Sequence, residues 1–123
     1  MSAVERGGTL VRPAGLPILT DAERWPLLVM GFGDSPRMRE GKTTPDGEVT
    51  YGSGCTPLLT APDGSLRAQK AASVHVVKPA SLYEMGRRYV ARGRIWVMPY
   101  TPSGASRGTL SITVEELVPA EDA

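Results

Sequence analysis

The chain has 123 residues, 41% of them hydrophobic and 22% charged, with fourteen basic against thirteen acidic side chains. Those values describe a single soluble globular domain and leave no room for two. The longest apolar run, residues 27–30, falls far short of the ~20 residues of a membrane span, so no membrane partner is expected.

Residues 1–25 carry no periodic pattern and are read as a flexible arm. Arg6 and Arg12 precede only a short apolar stretch broken by Pro17, so no secretory leader is expected. The lone Cys55 fits a reducing compartment, and the expected location is cytoplasmic.

Strand character follows at 26–32, 48–59, 65–78, 90–101 and 109–118. Three Pro-x-Gly units, Pro45-Asp46-Gly47, Pro62-Asp63-Gly64 and Pro102-Ser103-Gly104, read as hairpin loops, because proline presets the turn and glycine accepts positive φ. Alternation is clearest late in the chain. Arg94, Trp96, Met98 and Tyr100 share one face against Ile95 and Val97, and Leu110, Ile112 and Val114 oppose Ser111 and Thr113. Between the third and fourth strands, Ser81 and Glu84 form a capping-box pattern, with Leu82, Met85 and Tyr89 at helical spacing, which predicts a short helix. The order β-β-β-α-β-β predicts an all-β fold, a five-stranded OB-fold Greek-key barrel over residues 26–118 with one short helix. Residues 119–123 form a short acidic tail.

Charge is unevenly distributed. Between Arg37 and Arg107 eleven Lys or Arg stand against five acids, a net +6, while Glu115, Glu116, Glu121 and Asp122 close the chain without a base. A basic body attracts a phosphate backbone through counterion release. Arg37, Arg39 and Lys42 precede the first hairpin tip, Arg67 and Lys70 flank the second, and Arg107 lies beside the third. In an OB barrel these loops border the binding face. Arg94, Trp96 and Tyr100 would form a row about 20 Å long at ~3.3 Å per residue, offering a cation and two stacking rings to a strand. Tyr51 is a further candidate for a base contact. For each of these residues the alternative is ordinary: loop cations keep tips solvated, and exposed aromatics mark interfaces of any kind.

The segments Leu28-Val29-Met30-Gly31, Pro36-Arg37-Met38-Arg39 and Thr44-Pro45-Asp46-Gly47 resemble the opening pattern of the bacterial single-stranded DNA-binding protein family. Val74-His75-Val76-Val77, the capped segment 82–89, Arg92-Gly93-Arg94-Ile95-Trp96-Val97, a Pro-Ser-Gly hairpin and residues 110–117 are similar to its later strands. The resemblance implies single-stranded DNA as partner, a role in DNA replication, recombination or transfer, a homodimer or homotetramer, and contacts with replication or recombination proteins through the acidic tail. One departure stands out: residues 54–77 contain no Trp, Phe or Tyr, where the family stacks bases. That gap keeps two other readings open, an OB-like protein-interaction module and a small β-barrel binding a metabolite or oligosaccharide.

His75, the one histidine, lies twenty residues from the one cysteine, so neither a metal site nor a cofactor is expected, and His75 reads as structural or groove-lining. No Ser or Cys nucleophile has a plausible base nearby in sequence, and no enzymatic activity is expected.

Overall fold

The computed structural model describes residues 17–100 and 109–122. Nine strands make up the described fold: β1 Ile18–Asp21, β2 Leu28–Met30, β3 Arg37–Thr43, β4 Val49–Gly52, β5 Thr56–Thr60, β6 Leu66–Ala68, β7 Ser73–Val76, β8 Arg88–Tyr100 and β9 Thr109–Pro119. A 3-10 turn, Ala120–Asp122, follows. They form one mixed sheet in the order β3-β4-β7-β9-β8-β2-β5-β6, with β1 paired to β8 beside that path. All pairings are antiparallel except β7 with β9. The protein is therefore all-β, and among the described residues no helix is long and apolar enough to cross a membrane.

The alternation seen in the sequence sets the two faces. Ile112 and Val114 of β9 are buried with Val74 and Val76 of β7, Ile95 of β8 and Val29 of β2. Ser111, Thr113, Ser73 and His75, one position out of phase, point to the other side. The first two Pro-x-Gly units join β3 to β4 and β5 to β6, with Gly47 at φ +87° and Gly64 at φ +89°. The third, at 102–104, lies outside the described residues.

The expected strand 48–59 is divided. Ser53 stops the ladder, its Oγ donating to the Val74 carbonyl at 2.8 Å and accepting from the Cys55 amide at 3.1 Å. The first half, β4, pairs with β7 and the second half, β5, with β2. Segment 65–78 divides likewise into β6 and β7. Segment 37–43, read from the sequence as loop, is strand β3, and residues 18–21 of the expected arm are β1, in register with Arg94–Val97.

The expected helix at 81–89 is absent and requires correction. Tyr83 and Tyr89 both turn into the core and meet edge to face, ring centroids 5.3 Å apart. The Tyr83 hydroxyl accepts the Ala80 amide at 3.2 Å, and the Tyr89 hydroxyl accepts the Glu84 amide at 2.8 Å. The Tyr89 hydroxyl thus takes the amide that the Ser81 side chain would cap in the predicted helix. The chain turns at Met85-Gly86 and is tied to β2 by Gly86 N–H to Gly31 O at 2.9 Å and Gly31 N–H to Arg87 O at 3.0 Å. Leu82 and Met85, which a helix would bury beside Tyr89, are 49% and 78% exposed. Burial of two aromatic rings outweighs a local capping pattern, since each ring removes on the order of 150–250 Å² from water.

Candidate nucleic-acid interface

The sheet face opposite the core carries a cleft of about 440 Å³. β3 contributes Arg39, Lys42 and Thr43, β4 contributes Thr50, and β7 contributes Ser73 and His75. Ser111 and Thr113 of β9 and Met98 of β8 complete the lining. The register explains the grouping. His75 is the partner of Gly52 on β4 and of Thr113 on β9, and Thr113 is the partner of Trp96 on β8, so these residues share one face. Arg39 lies over Gly52, where a side chain would come within 3.3 Å of its Cδ. Thr50 ties the floor to β3 by donating to the Lys42 carbonyl at 3.1 Å.

Among the described residues, no carboxylate lines this cleft. Two cations and an imidazole, surrounded by hydroxyls, favour an anionic ligand. The His75 ring is 9% exposed, and burial, followed by the positive charges of Arg39 and Lys42, holds its pKa below the ordinary histidine value. The neighbouring Ile112 backbone opposes that shift in part.

The cleft continues past Thr43, Met98, Ser111 and Thr113 into a second hollow bordered by Trp96 and the β3–β4 turn. Here a bulge decides the geometry. The β8–β9 register shifts between Arg92 and Ile95, with Gly93 at φ +85° packed against Glu115, where any Cβ would lie 2.6 Å from Oε1. The bulge turns Arg94 over the Trp96 ring, guanidinium carbon 4.9 Å from its centroid. Arg94 then meets Glu115 Oε1 through Nε at 3.0 Å, Glu48 Oε1 through Nη2 at 3.0 Å and Asp46 Oδ2 through Nη1 at 3.3 Å. Lys78 approaches the other Glu115 oxygen at 3.5 Å. Hydrogen bonds from the Arg94 amide and then its guanidinium hold the Glu115 carboxyl below the usual carboxylate range.

The residues proposed from sequence are thereby sorted. Arg39 and Lys42 line the cleft, and Arg37 lies in an adjoining hollow with Arg39 and Gly52. Trp96 reaches the same face but is only 4% exposed beneath Arg94, which is engaged by three carboxylates. The row Arg94-Trp96 is thus a packed corner rather than an open stacking surface. Tyr51 is the partner of Val76, a fully buried core residue, and so lies on the opposite side of the sheet from His75. Arg67 on β6 and Lys70 in the turn before β7 are exposed and do not line the cleft. Arg107 and the Tyr100 side chain lie outside the described residues. Glu121, expected in a free acidic tail, is paired with Arg87 at 2.6 Å.

His75 and the hydroxyls of Thr50, Ser73, Ser111 and Thr113 did not figure among the proposed site residues. Their signal was present as the polar phase of the β7 and β9 alternation, Ser73-x-His75 and Ser111-x-Thr113. Comparison of the chain with protein-family models, with curated proteins and with solved structures finds no match.

Proposed function

We propose that the protein binds single-stranded DNA along this face, holding the phosphate backbone in the cleft with little preference for base sequence. The observation that carries this reading is the cleft itself, where Arg39, Lys42 and His75 gather with hydroxyls and without a lining carboxylate. Charged grooves of this kind track a backbone, and hydroxyls add hydrogen bonds to phosphate and sugar. The strand order supports the finer reading of the fold as a barrel of OB type. With β4 and β5 taken as one strand bent at Ser53, the pairings β2-β5, β4-β7, β7-β9, β9-β8 and β8-β2 close a ring that contains one parallel pair. A homodimer or homotetramer acting in replication, recombination or transfer of DNA is part of the same proposal. β3 and β6 end the sheet path and are available for pairing between copies.

The test is fluorescence anisotropy of labelled oligo-dT against a duplex of equal length, at low and at physiological salt. Preferential binding of the single strand that weakens as salt rises is expected. No binding at low salt would overturn the proposal. The burial of Trp96 under Arg94 would then favour the second reading, a barrel serving contacts with protein or a small ligand.

A further inference from the structure

We infer that His75 is a phosphate-contacting residue of the cleft and becomes, with Arg39 and Lys42, a third cation when a phosphodiester strand is bound. The inference rests on the strand-binding reading above and assigns a role to a residue that reading does not require. Its basis is position. His75 sits on β7, the middle of the cleft, between the cations of β3 and the hydroxyls of β9.

Among the described residues, few groups share the cleft with the ring. From β3 the charged ones are Arg39 and Lys42; β4, β9 and β8 present the uncharged Thr50, Thr113 and Met98. Of the nearby carboxylates, Asp46, Glu48 and Glu115 are engaged by Arg94, and Asp34 borders the adjoining hollow with Arg37 and Arg39; none of the four lines the cleft. In the free protein burial and two neighbouring positive charges therefore favour the neutral imidazole. A phosphate entering the cleft reverses both influences. It offsets the charges of Arg39 and Lys42, and it offers an acceptor to an N–H that only the protonated ring can add. Binding then takes up a proton at His75, and by reciprocity protonation of His75 tightens binding.

A histidine remote from the bound backbone would titrate the same way with and without ligand. The chain has one histidine, so its ring resonances report this site alone. The experiment follows those resonances by NMR across pH in the native protein, free and saturated with oligo-dT, beside the oligo-dT affinity of native protein and His75→Gln. A rise in the His75 midpoint on binding is expected, with native affinity greater near pH 5.5 than near pH 7.5 by up to about tenfold for each unit of that rise. The affinity of His75→Gln should stay flat over the same range. Oligo-dT binding that leaves the His75 titration unchanged overturns the inference while sparing the proposed function. Absence of oligo-dT binding overturns the proposed function, and inorganic pyrophosphate is then the probe of the cleft. A midpoint raised by pyrophosphate supports His75 as a phosphate contact, and an unmoved one removes it. If His75→Gln fails to fold, the resonances of the native protein still decide.

Discussion

Gly31→Ala tests the segment that replaces the expected helix. Gly31 closes β2 between two hydrogen bonds to the 84–89 segment, and its φ lies outside the positive range, so alanine meets no backbone penalty there. The penalty is steric. A Cβ at this position would stand 2.9 Å from the Glu84 carbonyl oxygen, 3.0 Å from Tyr83 Cβ and 3.0 Å from Tyr89 Cε2. None of these is the free end of a flexible side chain: one is backbone, and the other two belong to buried tyrosine side chains. Relief requires β2 and the segment to move apart, which loosens the edge-to-face tyrosine pair. Overpacking of this kind destabilises by about 2 kcal/mol, within the usual ~1–3 kcal/mol. For a domain of this size that is a fall of about 8 °C in Tm, at about 4 °C per kcal/mol. Gly47→Ala is the comparison. It meets open space but has φ +87°, so it should lose only about 1 kcal/mol, through backbone strain. Thermal and urea unfolding followed by circular dichroism read both variants. A loss for Gly31→Ala under about 0.5 kcal/mol, the scale of an ordinary surface change, would refute the packing of Tyr83 and Tyr89 against β2.

Three further outcomes are expected. The salt dependence of oligo-dT binding should flatten by about 0.7 in log–log slope for Lys42→Gln and by about 1.4 for Arg39→Gln with Lys42→Gln, each cation matching about one phosphate. Arg67→Gln on β6, away from the cleft, should leave the slope unchanged, and equal flattening by all three would remove the cleft as the binding path. Glu115 has a carboxyl held below its ordinary value by Arg94, so its stabilising contribution is present above the unfolded value near 4.5 and is lost as pH falls through the folded one. Urea midpoints measured from neutral to acid pH should therefore fall less steeply for Glu115→Gln than for the native protein; parallel curves would show that the Arg94 contact does not persist in solution. Burial raises the Cys55 thiol above its ordinary pKa, against a smaller opposite effect of the Ser53 hydrogen bond. A thiol-specific disulfide reagent at mildly alkaline pH should react slowly with native protein and at once after denaturation, whereas rapid native reaction would place Cys55 at the surface.

Much of the sheet was legible because its cues are local. Ile112 and Val114 against Ser111 and Thr113 predict a half-buried strand, and β9 is one. Proline with glycine two residues on predicts a tight turn, and both described examples join antiparallel neighbours. The segment 81–89 shows where local cues lose. Ser81 and Glu84 favour a helix by tenths of a kcal/mol to about one, while Tyr83 and Tyr89 gain more by entering a core whose other walls lie on β2 and β9. β3 was missed for a related reason. Every residue of Arg37–Thr43 is exposed, so no hydrophobic period marks it, and pairing with β4 alone makes it a strand.

The candidate site divides along the same line. Arg39 and Lys42 stood out by charge, but the hydroxyl-bearing partners of their cleft come from four strands whose adjacency is a property of the sheet order. Arg94 and Trp96 were recognised as neighbours on one face. Their burial depends on Asp46 and Glu48, 48 and 46 positions away, and on Glu115, 21 positions away. By itself, then, the sequence determined the all-β class, the two described Pro-x-Gly turns, and which phase of each late strand faces the core, because φ preferences and a two-residue period act between neighbours in the chain. Only the tertiary structure decided that Trp96 is covered, that Tyr51 faces away from the cleft and that His75 shares the cleft with two cations, because strand pairing brings together charges and rings that no local pattern relates.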